Sequence, residues 1–407
     1  MKTLCDMPFE IVGAIFIEWT MLDWFAPAIA SQLCRYFKEV TDSTPRLWSK
    51  LFLSRESHAK ADGVRAWLER GKAVPKEIVL ATRDISAIKA ALESAKDATS
   101  LIYRVPTFKD SYYNEIQLPT HLLQLRHLHV DASSIDNTMI MNTIFDLYKR
   151  SDITARFPCL TIMRLFDVDL TDFDITLGLF PVMRHLVLHL VSGPILDLIQ
   201  GCGNLLQDLR VTGCYSSDQR PYPHGLICLP KLEILIVQDT QGIVSNLEAP
   251  DLRLLYANLD EMDGSTRPFP AVVEWVTRQH PYRFLVTDIA AHLNNMPQLQ
   301  RLMLSRDRHT LNQCFKSLRD TQTMCPHLQF VEVVDFIDTS PAFELLDYFK
   351  ALLEGYMAQR AANVPGFTLE FVQDDDQLAQ LERYHPREVC SFILCVVAYL
   401  IMLLGTP

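Results

Sequence analysis

The chain has 407 residues, of which 49% are hydrophobic and 21% charged, with a formal net charge of −11. That length suits two or three domains or one long repeat array, and the composition excludes a disordered chain. The negative balance argues against nucleic acid as a direct partner, because phosphate binding needs a basic surface.

The ten cysteines are scattered, with no CxxC pair, and most sit inside apolar segments where a free thiol behaves as a small hydrophobe. The start "MKTLCDMPFE" lacks the apolar core of a signal peptide. The expectation is a reducing compartment, cytosol or nucleus, with free thiols.

In chain order, "MPFEIVGAIFIEW" (7–19) places Ile11, Val12, Ile15, Phe16 and Trp19 along one helical stripe. Pro8 suits the first turn, and Glu10 there opposes the positive end of the helix dipole. A second helix is expected from Pro27 to Val40, with Ile29, Leu33, Phe37 and Val40 on its apolar side and Arg35, Lys38 and Glu39 on its polar side. "STPRLWSKL" (43–51) reads as a third, short helix. Thr44 would cap it, Pro45 would take its first position, and Leu47, Trp48 and Leu51 would share one face. Three such helices make a marginal domain alone, so they either meet a partner or cap the rest of the chain.

Four groups of these residues, Met7-Pro8-x-Glu10-Ile11, Ile15-Phe16, Leu33-Cys34-Arg35-x-Phe37 and Ser43-Thr44-Pro45-x-Leu47-Trp48, resemble an F-box in their order. "VRAWLERGKAVPKEIVL" (64–80) resembles the segment that follows the F-box in many fungal proteins. Met7 stands where the family usually has Leu, and the stretch 17–32 is longer than the common spacing. The resemblance implies docking to a Skp-type adaptor, which bridges to cullin and RING subunits of a ubiquitin ligase. The implied adaptor contacts are Pro8, Ile11, Ile15, Phe16, Leu33, Cys34, Phe37, Leu47 and Trp48. Some of these must instead hold the three helices together.

From residue 118 onward a pattern of apolar residues spaced LxxLxL recurs, in "LRHLHV" (125–130), "LTIMRL" (160–165), "MRHLVL" (183–188), "LQDLRV" (206–211), "LEILIV" (232–237), "LRLLYA" (252–257), "LQRLML" (299–304) and "LQFVEV" (328–333). Proline precedes six of the eight by two residues. The last alternation of each reads as a short strand with one face inward. Such units resemble leucine-rich repeats, which bury a shared core only when stacked. The usual Asn/Cys position holds Cys214 in one unit and other residues elsewhere, so irregular curvature is expected. An irregular unit is expected around "FPAVVEWV" (269–276). Helical returns are expected at 133–151 and at 193–203, the latter ended by Gly201. An ordinary α/β domain with coincidental Leu spacing is the alternative.

No phosphate-cradling Gly loop, GxSxG or HExxH is present. His121, His127 and His129 cluster, but alternation makes His127 and His129 surface-facing strand positions rather than metal ligands. "QDDDQ" (373–377) lacks the glycine of a calcium loop and reads as a solvated turn. The segment 389–404 is apolar on all sides, about 24 Å long as a helix. It fits a membrane anchor, a final capping helix or a tail outside the fold.

The expected architecture is α/β: a three-helix F-box-like bundle (4–55), linker helices and first strands (56–110), a degenerate leucine-rich-repeat array (111–372), an acidic linker (373–388) and an apolar tail (389–407). The expected role is non-catalytic and without cofactor, a substrate receptor joining the adaptor to an unidentified target protein, at the membrane if the tail anchors it. The alternative is a repeat scaffold with no ubiquitin-ligase role.

Overall fold

The computed structural model describes residues 4–54, 59–95, 97–104, 122–132, 157–170, 180–216, 225–259, 261–262, 268–277, 289–305, 308–320, 324–335 and 368–373. The helical return at 133–151, His121, the acidic run after Gln373 and the apolar tail lie outside these residues. The chain divides into two compact units, 1–269 and 270–407.

The first unit begins with helices α1 (Phe9–Leu22), α2 (Ala26–Leu33) and α3 (Arg35–Ser43). The expected second helix, Pro27 to Val40, is therefore two. Cys34 is the break: its backbone is extended (φ −160°, ψ 166°), and its sulfur accepts the Phe37 N–H at 3.4 Å, which starts α3. The third helix is only a 3-10 turn, Pro45–Trp48. The Thr44 hydroxyl does not cap it but donates back to the Val40 carbonyl at 2.7 Å. Leu51 lies beyond the turn, on the first strand.

The strands of this unit run β1 (Lys50–Leu53), β2 (Lys76–Leu80), β3 (Ala98–Arg104), β4 (His127–Asp131), β5 (Ile162–Phe166), β6 (His185–His189), β7 (Ser192–Gly193), β8 (Asp208–Thr212), β9 (Tyr215–Ser216), β10 (Ile227–Cys228), β11 (Ile234–Gln238), β12 (Leu247–Glu248) and β13 (Leu254–Tyr256). Within the unit the sheet order is β1-β2-β3-β4-β5-β6-β8-β11-β13, with every neighbouring pair parallel. Helices α4 (Ala61–Arg70) and α5 (Ile85–Glu93) return between the first strands, and the helix Ile195–Gly201 returns after β7. That last helix includes Gly201; the left-handed residue that follows is Gly203, at φ 69°.

Each repeat motif from 125 to 257 places its last alternation on a strand. The register then stacks Leu128, Met163, Leu186, Leu209, Leu235 and Leu255 in one inward row. Leu51, Ile78 and Leu101 extend the row to β1. All nine are essentially withdrawn from water. One unit could not cover such a row alone; the stack does.

The turns that leave the strands repeat as well. Asp167, Leu190, Gly213 and Asp239, each directly after a strand, all have positive φ. Their N–H groups bond across to the next unit: Asp167 to His189 O, Leu190 to Thr212 O and Gly213 to Gln238 O, each at 2.8 Å. Where an Asn/Cys ladder would run, other groups serve. The Cys214 N–H donates to Thr240 Oγ1 at 3.0 Å, while the Thr240 and Asn258 N–H groups donate to the two carboxylate oxygens of Glu261. Gly213 has the least room to change: at φ 60°, an added Cβ would lie 2.8 Å from Leu190 Cδ2. Gly213→Val is expected to lower stability by at least about 1–2 kcal/mol, measured as a shift in the urea midpoint at unchanged slope.

The second unit carries β14 (Glu274–Thr277), β15 (Arg301–Ser305), β16 (Phe330–Asp335) and β17 (Thr368–Gln373), paired in parallel in that order. Its helices are Ile289–Asn294 and Arg308–Asp320. The unit expected to be irregular, around 269–276, is a strand in the common register. Trp275 pairs with Leu302, and Leu302 with Val331, in a buried row of this unit's own. Arg301 bridges Glu274 at 3.6 Å and Glu332 at 2.6 Å on the other face.

Candidate interaction surfaces

The residues implied in adaptor docking separate by burial. Phe16, Phe37, Leu47 and Trp48 are buried, with Leu47 at 1% and Trp48 at 0% exposure. They hold the bundle together: Phe16 and Phe37 meet edge to face at 5.2 Å, and the Trp48 indole N–H donates to Thr41 O at 2.8 Å. Pro8 is exposed, Ile11 is 50% exposed, Ile15 41% and Leu33 62%, while Cys34 is half-buried. The expected single stripe on α1 thus splits. Val12, Gly13, Phe16 and Thr20 face inward; Ile11, Ile15 and Leu22 share the opposite, outward side. At 100° per residue these last three fall within about 40° of one another.

Leu4, Met7, Met21, Phe25 and Ile29 are exposed as well. Nine of the fifteen exposed large apolar side chains among the described residues lie between Leu4 and Leu33. Single exposed apolar residues need no explanation, but such a concentration of them does. The sequence held a signal for it: α1 is apolar nearly all round, and such a helix must be covered on more than one side.

Trp48 also joins the bundle to the sheet. Its ring meets Trp67 of α4 edge to face at 4.8 Å, and the Arg70 guanidinium lies over it at 4.7 Å. Trp67 in turn donates to Lys50 O of β1 at 2.9 Å and meets Trp24 at 5.4 Å. Trp67 lies 19 residues on from its partner Trp48, in a helix that local spacing does not link to the bundle. Trp48→Ala removes one wall of both contacts and is expected to cost about 3–5 kcal/mol; differential scanning calorimetry checks it.

A second surface is the outward face of the first unit's sheet. His127 and His129 do face outward on β4, as alternation requires, with His185 and His189 on β6 and Arg164 and Phe166 on β5. Arg210, which alternation places on the outward face, is only 8% exposed and makes a paired ion contact with Asp208, at 3.0 Å from Nε and 2.9 Å from one terminal nitrogen. Asp208 stays below the ordinary carboxylate value: burial opposes this, but hydrogen bonds from His185 and Arg210 prevail. His129 stacks on Phe166 at 5.0 Å, and Phe166 meets His189 at 5.7 Å.

Burial lowers the His129 pKa from 6.5 to about 4. The unfolded chain therefore takes up a proton below pH 6.5 that the folded chain refuses until about pH 4. Stability present above pH 6.5 is lost as pH falls through that window. His129→Phe is expected to flatten the loss, read from denaturant midpoints between pH 7 and about pH 4.

Neither protein-family models nor curated proteins gave a match to this chain.

Among the described residues no group of three or more His, Cys, Asp or Glu side chains could hold a metal ion. No helix among them is long and apolar enough to cross a membrane. The described surfaces are an exposed set of apolar side chains on the helices and a face of histidine, arginine and aromatic side chains on the sheet.

Proposed function

We propose that the chain is a substrate-recognition subunit of a Skp–cullin–F-box ubiquitin ligase, itself without an active site. The N-terminal helices dock the Skp-type adaptor, and the outward face of the sheet receives a target protein. The observation that carries this reading is the run of exposed apolar residues from Leu4 to Leu33, which includes four of the positions that the resemblance assigns to the adaptor. A bundle whose only task was internal packing would turn these side chains inward.

Co-expression with a Skp-type adaptor tests it. The two chains should co-elute as a stoichiometric complex, and failure to associate would remove the ligase assignment. A second reading has its own support. The helices join α4 and β1 through Trp48 and Trp67, and β1 is the edge strand of its sheet. Repeat arrays need covered ends. A helical cap of a scaffold protein satisfies that need without an adaptor, and it is the account left if co-elution fails.

A further inference from the structure

Cys5 and Cys34, though 29 residues apart in sequence, bring their sulfurs to 3.9 Å. The approach is built in by neighbouring contacts. Tyr36 Oη donates to Met7 O at 2.7 Å, and the Phe9 and Tyr36 rings meet edge to face at 6.3 Å. Together they hold the turn Leu4–Asp6 against the start of α3. Both cysteines are reduced; Cys5 is exposed and Cys34 half-buried. We propose that Cys5 and Cys34 form a redox modification site, closing to a disulfide on meeting a small-molecule disulfide of the glutathione class.

The exposed turn needs to move by less than about 2 Å to bring the sulfurs to bonding distance. Cys5, facing water, reacts first. Its thiolate, having given its proton to solvent, attacks one sulfur of the oxidant and displaces one thiolate. The Cys34 thiolate then attacks the Cys5 sulfur of the mixed disulfide and displaces the second. Two protein thiols are oxidised, and one disulfide is reduced to two thiols. Desolvation and the contact with Cys34 raise the Cys5 pKa above the ordinary thiol value, so the reaction is favoured at mildly alkaline pH. The buried cysteines do not compete: Cys202 and Cys314 are fully enclosed, their thiols raised by burial, and Cys214 is pushed up to about 11. The bond would fix Leu4 and Met7 beside Leu33, at one end of the apolar face. It is read from this chain alone and does not rest on the adaptor assignment.

The test exposes the full chain to oxidised glutathione at mildly alkaline pH, blocks remaining thiols with N-ethylmaleimide and maps the peptides by mass spectrometry. The expected result is a Cys5–Cys34 cross-linked peptide, reversed by dithiothreitol. The exposed Cys159 and Cys228 should instead carry glutathione as mixed disulfides, with no second protein thiol beside them among the described residues to displace it. In Cys34→Ser, a glutathione mixed disulfide should persist on Cys5. No Cys5–Cys34 cross-link under oxidation that modifies Cys159 and Cys228, or a lasting mixed disulfide on Cys5 in the wild-type chain, would overturn the proposal.

Discussion

Leu209→Asp should unfold the first unit. Leu209 is 0% exposed and pairs with Leu186 on one side and Leu235 on the other, in the row that every strand of that sheet shares. The substitution removes a packed side chain and sets a carboxylate among Leu, Met and Ile with no cation in the row. The transfer and cavity losses together exceed about 4 kcal/mol, a large part of the stability of an ordinary domain. Far-ultraviolet circular dichroism with urea titration should show a lost or strongly shifted transition. Gln207→Asp, at a half-buried position just before the same strand, serves as the control and should melt close to wild type. If Leu209→Asp keeps the wild-type midpoint, the inward row is misdrawn.

The second large effect concerns recognition. Ile11→Asp combined with Leu33→Asp should abolish adaptor binding while leaving the melting curve nearly unchanged. Both side chains are at least half exposed, so the fold loses little by their replacement. The interface would lose two apolar anchors and gain two charges that must be desolvated. Interfaces concentrate their energy in a few such anchors, and a loss of about 3 kcal/mol or more lowers affinity at least about 100-fold. Isothermal titration calorimetry reads the affinity, and circular dichroism reads the fold. The contrast is Phe16→Ala, which should damage both at once because Phe16 packs inside the bundle.

Much of the sheet was legible from spacing. The LxxLxL pattern places the strands because alternation within a strand and repetition between strands are both forced by one shared core. The strand around Trp275 is harder to read: the long gap between the motifs starting at 252 and 299 predicts an irregular unit, and Trp and Val there stand where Leu is usual. Less was legible at the helices. The break at Cys34 depends on a thiol acting as a cap, which no periodicity shows. Sorting Ile11 from Val12 needs the position of α3, since both belong to one broad apolar arc. The Trp48–Trp67 joint depends on α4 folding back to β1, a contact between residues that local pattern does not link. Arg210 is a related case. Alternation puts it outward, but the paired contact with Asp208 on the same strand withdraws it from water.

An adaptor docked on the exposed apolar side chains of α1 and α2 would shield both helices from solvent. Hydrogen–deuterium exchange of the full chain, with and without a Skp-type adaptor, tests it most directly. Exchange in Phe9–Leu22 and Ala26–Leu33 should slow on adding adaptor, with the strands from β4 to β13 unchanged. Unaltered exchange in both helices at saturating adaptor, or protection confined to the sheet, would contradict it.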